Sequence, residues 1–121
     1  MNTNSGFTLL ELLATLTIIA ILTGIALPQY EAYKARGFDT TTQMDLRSIA
    51  LAQEAYFFDT RHYLACNNVE CTALPGIARL SDGTEVAISI NELCFTAEAS
   101  NAKGTGKVYR WSSTSGGLVT E

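Results

Sequence analysis

The sequence predicts an α+β protein, with one long N-terminal helix followed by an antiparallel sheet of three or four strands. Three observations support this fold class. Residues 7–27 form an almost continuous apolar run, and residues 38–58 contain neither Pro nor Gly. Beyond residue 83, apolar and polar side chains alternate between turn-forming segments. A length of 121 residues suits one modest domain behind the apolar segment.

The first element is an apolar helix that reads FTLLELLATLTIIAILTGIAL from Phe7 to Leu27, with Glu11 as its one charge. At a rise of about 1.5 Å per residue it is long enough to cross a hydrocarbon core of roughly 30 Å. Pro28 ends the run. A secretory signal peptide, a single-span anchor, and a helix that moves from lipid to contacts with other helices all fit this composition.

Glu11 distinguishes these alternatives. A carboxylate inside an apolar span costs at least about 2.5 kcal/mol, so it usually has a partner or a function. Glu11 lies one helical turn after Phe7. Cleavage before Phe7 would create an ammonium group that could pair with the Glu11 of a neighbouring subunit. The alternative is a carboxylate tolerated at the membrane surface.

The residues around Glu11 carry a family resemblance. Residues 6–12 read GFTLLEL, and residues 17–36 read TIIAILTGIALPQYEAYKAR. Both segments resemble type IV prepilins and type II secretion pseudopilins, and most of all a type IV pilin. The resemblance implies cleavage by a prepilin peptidase between Gly6 and Phe7, methylation of the new N-terminus at Phe7, and a role for Glu11 in ordered assembly.

Two features depart from the family pattern. The leader MNTNSG contains no Lys or Arg, whereas family leaders are usually basic. Ala20 stands where family members often have a glycine, and the nearest glycine is Gly24. Gly24 and Pro28 are therefore the expected weak points of the helix during assembly, because Pro28 removes the hydrogen bond to the Gly24 carbonyl.

The second half of the helix carries two apolar faces. One stripe comprises Leu46, Ile49, Ala50, Tyr56 and Phe57, and a second line comprises Met44, Leu51, Ala55 and Phe58. Two apolar faces indicate burial on two sides. The helix is either enclosed within its own domain or packed between its sheet and neighbouring subunits, and we favour the second arrangement.

A loop over residues 59–82 contains Cys66 and Cys71, and Cys94 follows in the predicted sheet. An exported domain would be oxidised, and one disulfide among three cysteines has three possible pairings. We predict a Cys66–Cys71 bridge with Cys94 unpaired, since only four residues lie between the first two cysteines.

Four strands are proposed for the C-terminal region. Thr84–Ile90 should turn Val86, Ile88 and Ile90 inward, and Leu93–Ala99 should turn Leu93, Phe95 and Ala97 inward, with Asn91-Glu92 as the turn between them. Asn101–Gly106 reads as a second turn. Lys107–Ser113 should point Tyr109 and Trp111 inward, and Leu118–Thr120 is a short fourth strand. A long helix packed on such a sheet is similar to the pilin fold.

The composition argues against enzymes and nucleic-acid binding. A net charge of −4 disfavours phosphate contacts. GTGK at 104–107 lacks P-loop spacing, His62 stands alone in a loop, and no catalytic motif appears. No cofactor or metal is expected.

The resemblance implies a structural subunit of a type IV pilus for adhesion, motility or uptake. Residues 1–6 would be the leader, 7–28 the transmembrane and assembly helix, and 29–121 the globular domain. The expected partners are copies of itself, the prepilin peptidase, the pilus assembly machinery and the bacterial inner membrane before export to the surface. The alternative is a type II secretion pseudopilin or a minor pilin. Glu121 is the one acidic residue after Asn101, which argues against the calcium-binding major pseudopilin.

Overall fold

The structure, a computed structural model, describes residues 2–119 and has the α+β architecture expected from the sequence. The chain divides into two compact units, Met1–Tyr33 and Lys34–Glu121, and the boundary falls inside the helix. The elements in chain order are α1 (Leu9–Thr60), β1 (Cys66–Asn67), a 3-10 helix (Asn68–Ala73), β2 (Thr84–Asn91), β3 (Cys94–Asn101), β4 (Tyr109–Ser112) and β5 (Gly117–Val119).

The strands form one antiparallel meander in the order β1-β2-β3-β4-β5. The predicted number of three or four strands is wrong, because the sheet has five. The additional strand, β1, lies in the segment predicted as a loop over residues 59–82, together with the 3-10 helix. A strand of two residues has no alternation to read, so the pattern of side chains gives no sign of it.

The β2–β3 hairpin supplies the sheet's half of the core. Val86 and Ile88 on β2 are buried, as are Phe95 and Ala97 on β3, in agreement with the predicted alternation. Ile90 shares this face and pairs with Phe95, although it is 37% exposed near the end of β2. The prediction for Leu93 is wrong, because Leu93 is 77% exposed.

The position of the turn explains the error at Leu93. The turn lies at Glu92 and Leu93 rather than at Asn91 and Glu92, since Asn91 still pairs with Cys94 in the ladder. Leu93 therefore lies outside the strand, where the inward and outward alternation no longer applies. Glu92 has a φ of 53°, the left-handed conformation that two-residue hairpin turns require.

The last two strands are shorter than predicted. β4 covers Tyr109–Ser112 instead of Lys107–Ser113, and β5 covers Gly117–Val119. Thr120, the end of the predicted fourth strand, lies outside the described residues. Tyr109 and Trp111 are half-buried and pack against the core, which confirms their inward orientation.

The two faces of α1 differ in burial within the second unit. Leu46, Ile49 and Ala50 of the first stripe belong to the core, with Tyr56 packed against it. On the second line, Met44 is 60% exposed, Leu51 is 74% exposed and Phe58 is 76% exposed. Enclosure of the helix within its own domain is therefore wrong, and the second line is open to solvent.

Hydrogen bonds from polar side chains connect the buried face of α1 to later segments of the chain. Gln53 is fully buried, and its amide group donates to the Leu64 carbonyl at 2.6 Å and accepts from the Leu64 amide at 3.0 Å. Asp45 accepts from the backbone amide and the hydroxyl of Ser81 at 2.8 and 2.9 Å. These bonds satisfy polar groups that would otherwise be costly to bury.

Asp39 ties α1 to the turn that follows β3. It is 6% exposed and accepts hydrogen bonds from the Thr105 amide, at 3.1 Å, and from the Thr105 hydroxyl. A Cβ at Gly104 would come within 2.1 Å of the Asp39 carboxylate. Glycine is therefore required at position 104 so that the carboxylate can approach the turn.

Replacement of Asp39 by Ala should lower the free energy of unfolding by about 1.5–3 kcal/mol, because hydrogen bonds to a charged acceptor are lost. Urea unfolding of the full chain in detergent, followed by the fluorescence of its one tryptophan, Trp111, measures this change. Glu31→Ala on the same helix is the control and should shift stability by less than about 0.5 kcal/mol. Equal stability of Asp39→Ala and the parent chain would show that the tie contributes nothing.

The structure joins Cys66 to Cys71, the pairing favoured from the sequence, and leaves Cys94 free and half-buried. Cys66 lies opposite Ile88, which points inward. Cys94 lies opposite Asn91, which is three residues from Ile88 on β2 and so points to the other face. Because neighbouring strand residues point to opposite faces, Cys94 is on the face of the sheet away from Cys66.

The bridge should stabilise the chain by about 2 kcal/mol, the scale that loop closure gives for a loop this short. A Cys66→Ser, Cys71→Ser double variant should lose that amount in the same urea assay, since both sulfur atoms are buried in the core. Cys94→Ser is the matched control, with little expected change. Recovery of a Cys94-linked peptide from the non-reduced protein would contradict the pairing.

Candidate assembly site

The start of α1 is built around Thr8 and Glu11. The Thr8 carbonyl accepts the first helical hydrogen bond, from the Leu12 amide at 3.2 Å, which makes Thr8 the N-cap residue. Glu11 accepts from the backbone amide of Thr8 at 2.9 Å and from its hydroxyl at 3.0 Å. The Glu11 amide in turn donates to the Thr8 hydroxyl oxygen at 3.2 Å. This reciprocal arrangement is a capping box.

The capping box determines where the Glu11 carboxylate lies. It folds back over the first turn, where the partial positive charge of the helix N-terminus stabilises it. Glu11 is nevertheless exposed, so a second positive group can approach it. Sequence reasoning considered only an intermolecular partner for Glu11 and missed the cap, although Thr-x-x-Glu ahead of an apolar run is its recognised pattern.

The Gly6–Phe7 peptide bond precedes the helix. Residues 2–8 have no regular secondary structure and are exposed, and Phe7 is 79% exposed. No atom lies within 4 Å of the position that a Cβ would take at Gly6. The backbone on both sides of this bond is therefore exposed and outside any regular secondary structure.

Gly24 and Pro28 lie inside α1, and the helix continues through both. They are 13 residues or more beyond Glu11, which is roughly 20 Å along a helix. The structure therefore does not bring them to the capping box. Around Gly24 the space that a Cβ would fill is open, so the glycine is not required by any contact within the chain.

The first 19 residues of α1, from Leu9 to Leu27, form an uncovered apolar surface. By length and composition α1 contains a segment able to cross a membrane, and none of that segment is buried within the chain. Its large side chains range from Leu12, 50% exposed, to Leu9, 88% exposed. A surface of this size requires lipid or protein to cover it.

The second unit has two local electrostatic features. The hydrogen bond from the Lys103 ammonium, together with its charge, lowers the pKa of Asp82, and Lys103 also lies 5.7 Å from the centre of the Phe38 ring. Burial raises the pKa of Tyr63, and the negative charge of Glu54 adds to this effect. Among residues 2–119, no three His, Cys, Asp or Glu side chains are placed to hold a metal ion.

Comparison with known proteins points to one family. A model of the prokaryotic N-terminal methylation motif matches residues 1–27. The type IV major pilin protein PilA of Myxococcus xanthus is 35% identical over 60 residues, which are 50% of this chain and 27% of PilA. The type IV major alpha-pilin of Moraxella bovis is 39% identical over 59 residues, which are 49% of this chain and 37% of that pilin.

The type IV wide pilus major component PilA4 of Thermus thermophilus is 38% identical over 63 residues, which are 52% of this chain and 48% of PilA4. The chain thus spans less than half the length of each of these three relatives. These relatives confirm the resemblance to the type IV pilins over about half of the chain, and the methylation motif extends into the uncovered apolar helix.

Proposed function

We propose that the chain is a structural subunit of a type IV pilus. Residues 1–6 are the leader, 7–28 the membrane and assembly helix, and 29–121 the globular domain. The precursor resides in the bacterial inner membrane until the prepilin peptidase cuts between Gly6 and Phe7 and Phe7 is N-methylated. The pilus assembly machinery then transfers the subunit into a surface filament used for adhesion, motility or uptake.

One observation carries this proposal: among the described residues 2–119, none covers the apolar surface of Leu9–Leu27. Lipid covers it in the membrane, where helical backbone groups satisfy one another. In a filament, the same segments of other copies cover it. A simple membrane anchor accounts for a helix covered by lipid, but it gives no reason for a carboxylate within the span.

Glu11 supplies the directional contact of assembly. Its carboxylate is exposed beside the peptide bond whose cleavage creates a positive charge at Phe7. The ammonium group of one subunit and the Glu11 carboxylate of its neighbour then neutralise each other in an apolar environment. An unpaired charge in an apolar environment costs free energy. Only the register of subunits that brings the ammonium group and the carboxylate together is therefore favourable.

Gly24 and Pro28 allow α1 to change shape on assembly. Pro28 lacks the N–H that would bond to the Gly24 carbonyl, and glycine adds backbone freedom. In lipid an unwound turn is costly, whereas neighbouring helices in a filament can cover it. Because Ala20 replaces a glycine, the unwound turn should stay close to Gly24.

A filament map tests this change of shape. We expect the helical density to be interrupted between Gly24 and Pro28. Continuous helical density from Phe7 to Phe58 would contradict the idea. So would unchanged filament extensibility in a Gly24→Ala, Pro28→Ala variant that still assembles.

The alternative of a type II secretion pseudopilin or minor pilin is not favoured, because the matched relatives are named as pilins and fimbrial proteins. Electron microscopy of surface filaments sheared from cells that express the chain tests the proposal. Filaments should be present, and they should disappear when the gene for this chain is removed. Filaments that persist without the chain would reject it as their main subunit.

A further inference from the structure

An apolar groove runs along the open face of α1 in the second unit. It has a volume of about 360 Å³ and is lined by Leu51 and Ala50 of the helix, Trp111 of β4, and Gly116 in the turn after β4. Leu51 is 74% exposed, so the groove is open in the part of the chain that the structure describes. An open apolar groove between a helix and a sheet end marks an interaction surface.

The ends of the groove carry opposite charges. Arg47 and Glu54 both line it, seven residues and therefore roughly 10 Å apart along the helix. Glu54 accepts a hydrogen bond from the Tyr63 hydroxyl at 3.2 Å. Arg47 forms no hydrogen bond or ion pair with any other residue of the described 2–119. The groove thus offers an apolar floor with an unpaired cation at one end.

The tip of the β2–β3 hairpin has the complementary features. Its two turn residues are Glu92 and Leu93, and Leu93 is 77% exposed. Turns of this kind usually carry Gly, Asn or Asp, so a protruding leucine is not explained by turn geometry. The Glu92 carboxylate, next to it in the chain, has no bonding partner within residues 2–119.

We propose that the Glu92–Leu93 tip of one subunit docks into the Arg47–Leu51–Trp111 groove of a second copy. Leu93 enters the apolar part of the groove. Glu92 lies at the Arg47 end, because Glu54 at the other end repels it. The charge of Glu92 complements that of Arg47, and both belong to the same chain, which favours a second copy as the partner over lipid or an unrelated protein.

The proposed contact rests on the proposed function, and it would give the filament a direction. An interface that joins two different patches is heterologous, and repetition of such an interface builds an open helical array rather than a closed dimer. Every subunit then contributes one tip and one groove. The helix core and the sheet domains are held in register by separate contacts.

Cross-linking in intact filaments tests the contact. The variant carries Glu92→Cys and Arg47→Cys in a Cys94→Ser background, which leaves Leu93, Leu51 and Trp111 in place. Oxidation with copper phenanthroline should give a ladder of dimers, trimers and larger species on a non-reducing gel. The control variant carries Val69→Cys instead of Glu92→Cys. Val69 is 78% exposed, and this variant should give no ladder.

Three results would overturn the contact. Filaments without cross-links would remove the contact but leave the proposed function intact. Cross-linking that stops at dimers would show a two-fold interface instead of a heterologous one. Absence of filaments from the unmodified chain would reject the proposed function and this contact with it.

A charge exchange provides a second measurement that does not depend on cysteines. Glu92→Arg and Arg47→Glu should each lower filament yield about threefold, the scale of exposed ion pairs, and the double variant should restore it. Trp111 fluorescence checks that each variant is folded. A double variant no better than the folded single variants would overturn the pairing.

Discussion

Glu11→Ala should leave membrane insertion intact and reduce filament yield by at least about tenfold. Removal of a charge from the span makes residence in lipid easier by about 2.5 kcal/mol or more. Assembly suffers because the positive charge at Phe7 is left unpaired among packed helices. Loss of one partner of a buried pair costs about 3–5 kcal/mol at each contact. Membrane fractionation and counts of sheared filaments measure the two effects separately.

Glu11→Gln separates the charge from the capping box. Glutamine fits the same position of a capping box and retains an acceptor for the Thr8 amide. If the charge drives assembly, Glu11→Gln should fail nearly as completely as Glu11→Ala. Filament yield close to that of the parent chain for Glu11→Gln would assign the role to the cap, and parent yield for Glu11→Ala would favour a simple anchor.

Gly6→Val should leave uncleaved precursor in the membrane. The bond after Gly6 is open on all sides in the structure, so valine does not disturb the fold of this chain. It places a branched side chain where the peptidase must approach the backbone. Extra carbon atoms at a tight recognition position reduce the rate about 10–100-fold. Mass spectrometry of the membrane fraction distinguishes chains that begin at Met1 from those that begin at Phe7.

Ser5→Val is the matched control for this prediction. It adds similar bulk one residue earlier in the same exposed leader, away from the bond that is cut. Normal processing of Ser5→Val together with blocked Gly6→Val would locate the requirement at Gly6. Normal processing of Gly6→Val would remove the cleavage assignment.

The sequence predicted those parts of the fold that have a strong period. Residues 7–58 read as helix, and the alternation through Val86, Ile88, Phe95 and Ala97 predicted the central hairpin with its correct inward face. The prediction for Leu93 was wrong because the alternation of side chains was extended into the turn, where the backbone no longer alternates. β1 was missed because two residues contain no period.

Buried polar residues were the other part that the sequence did not reveal. No burial was predicted for the polar residues Gln53 and Asp39, and only the positions of Leu64 and Thr105 show why they are buried. Such pairs join distant parts of the chain, so no local pattern predicts them. The capping box differs, because Thr8 and Glu11 have the spacing that would have revealed it.

The proximity of three candidate site residues could be predicted because they are close in sequence, and their roles stay a prediction. Gly6, Phe7 and Glu11 lie at the start of one helix, and the structure places the Glu11 carboxylate over the first turn beside them. The groove at Arg47 and the tip at Glu92 could not be foreseen, because they depend on how β4 and the hairpin lie against α1.

The N-terminus of the filament subunit tests the central claim most directly. Filaments sheared from cells can be purified and their main protein analysed by intact-mass and peptide mass spectrometry. We predict a chain that begins at Phe7, carries one added methyl group on its terminal nitrogen and retains the Cys66–Cys71 bridge. A filament subunit that begins at Met1, or sheared filaments that contain no peptide of this chain, would contradict the account.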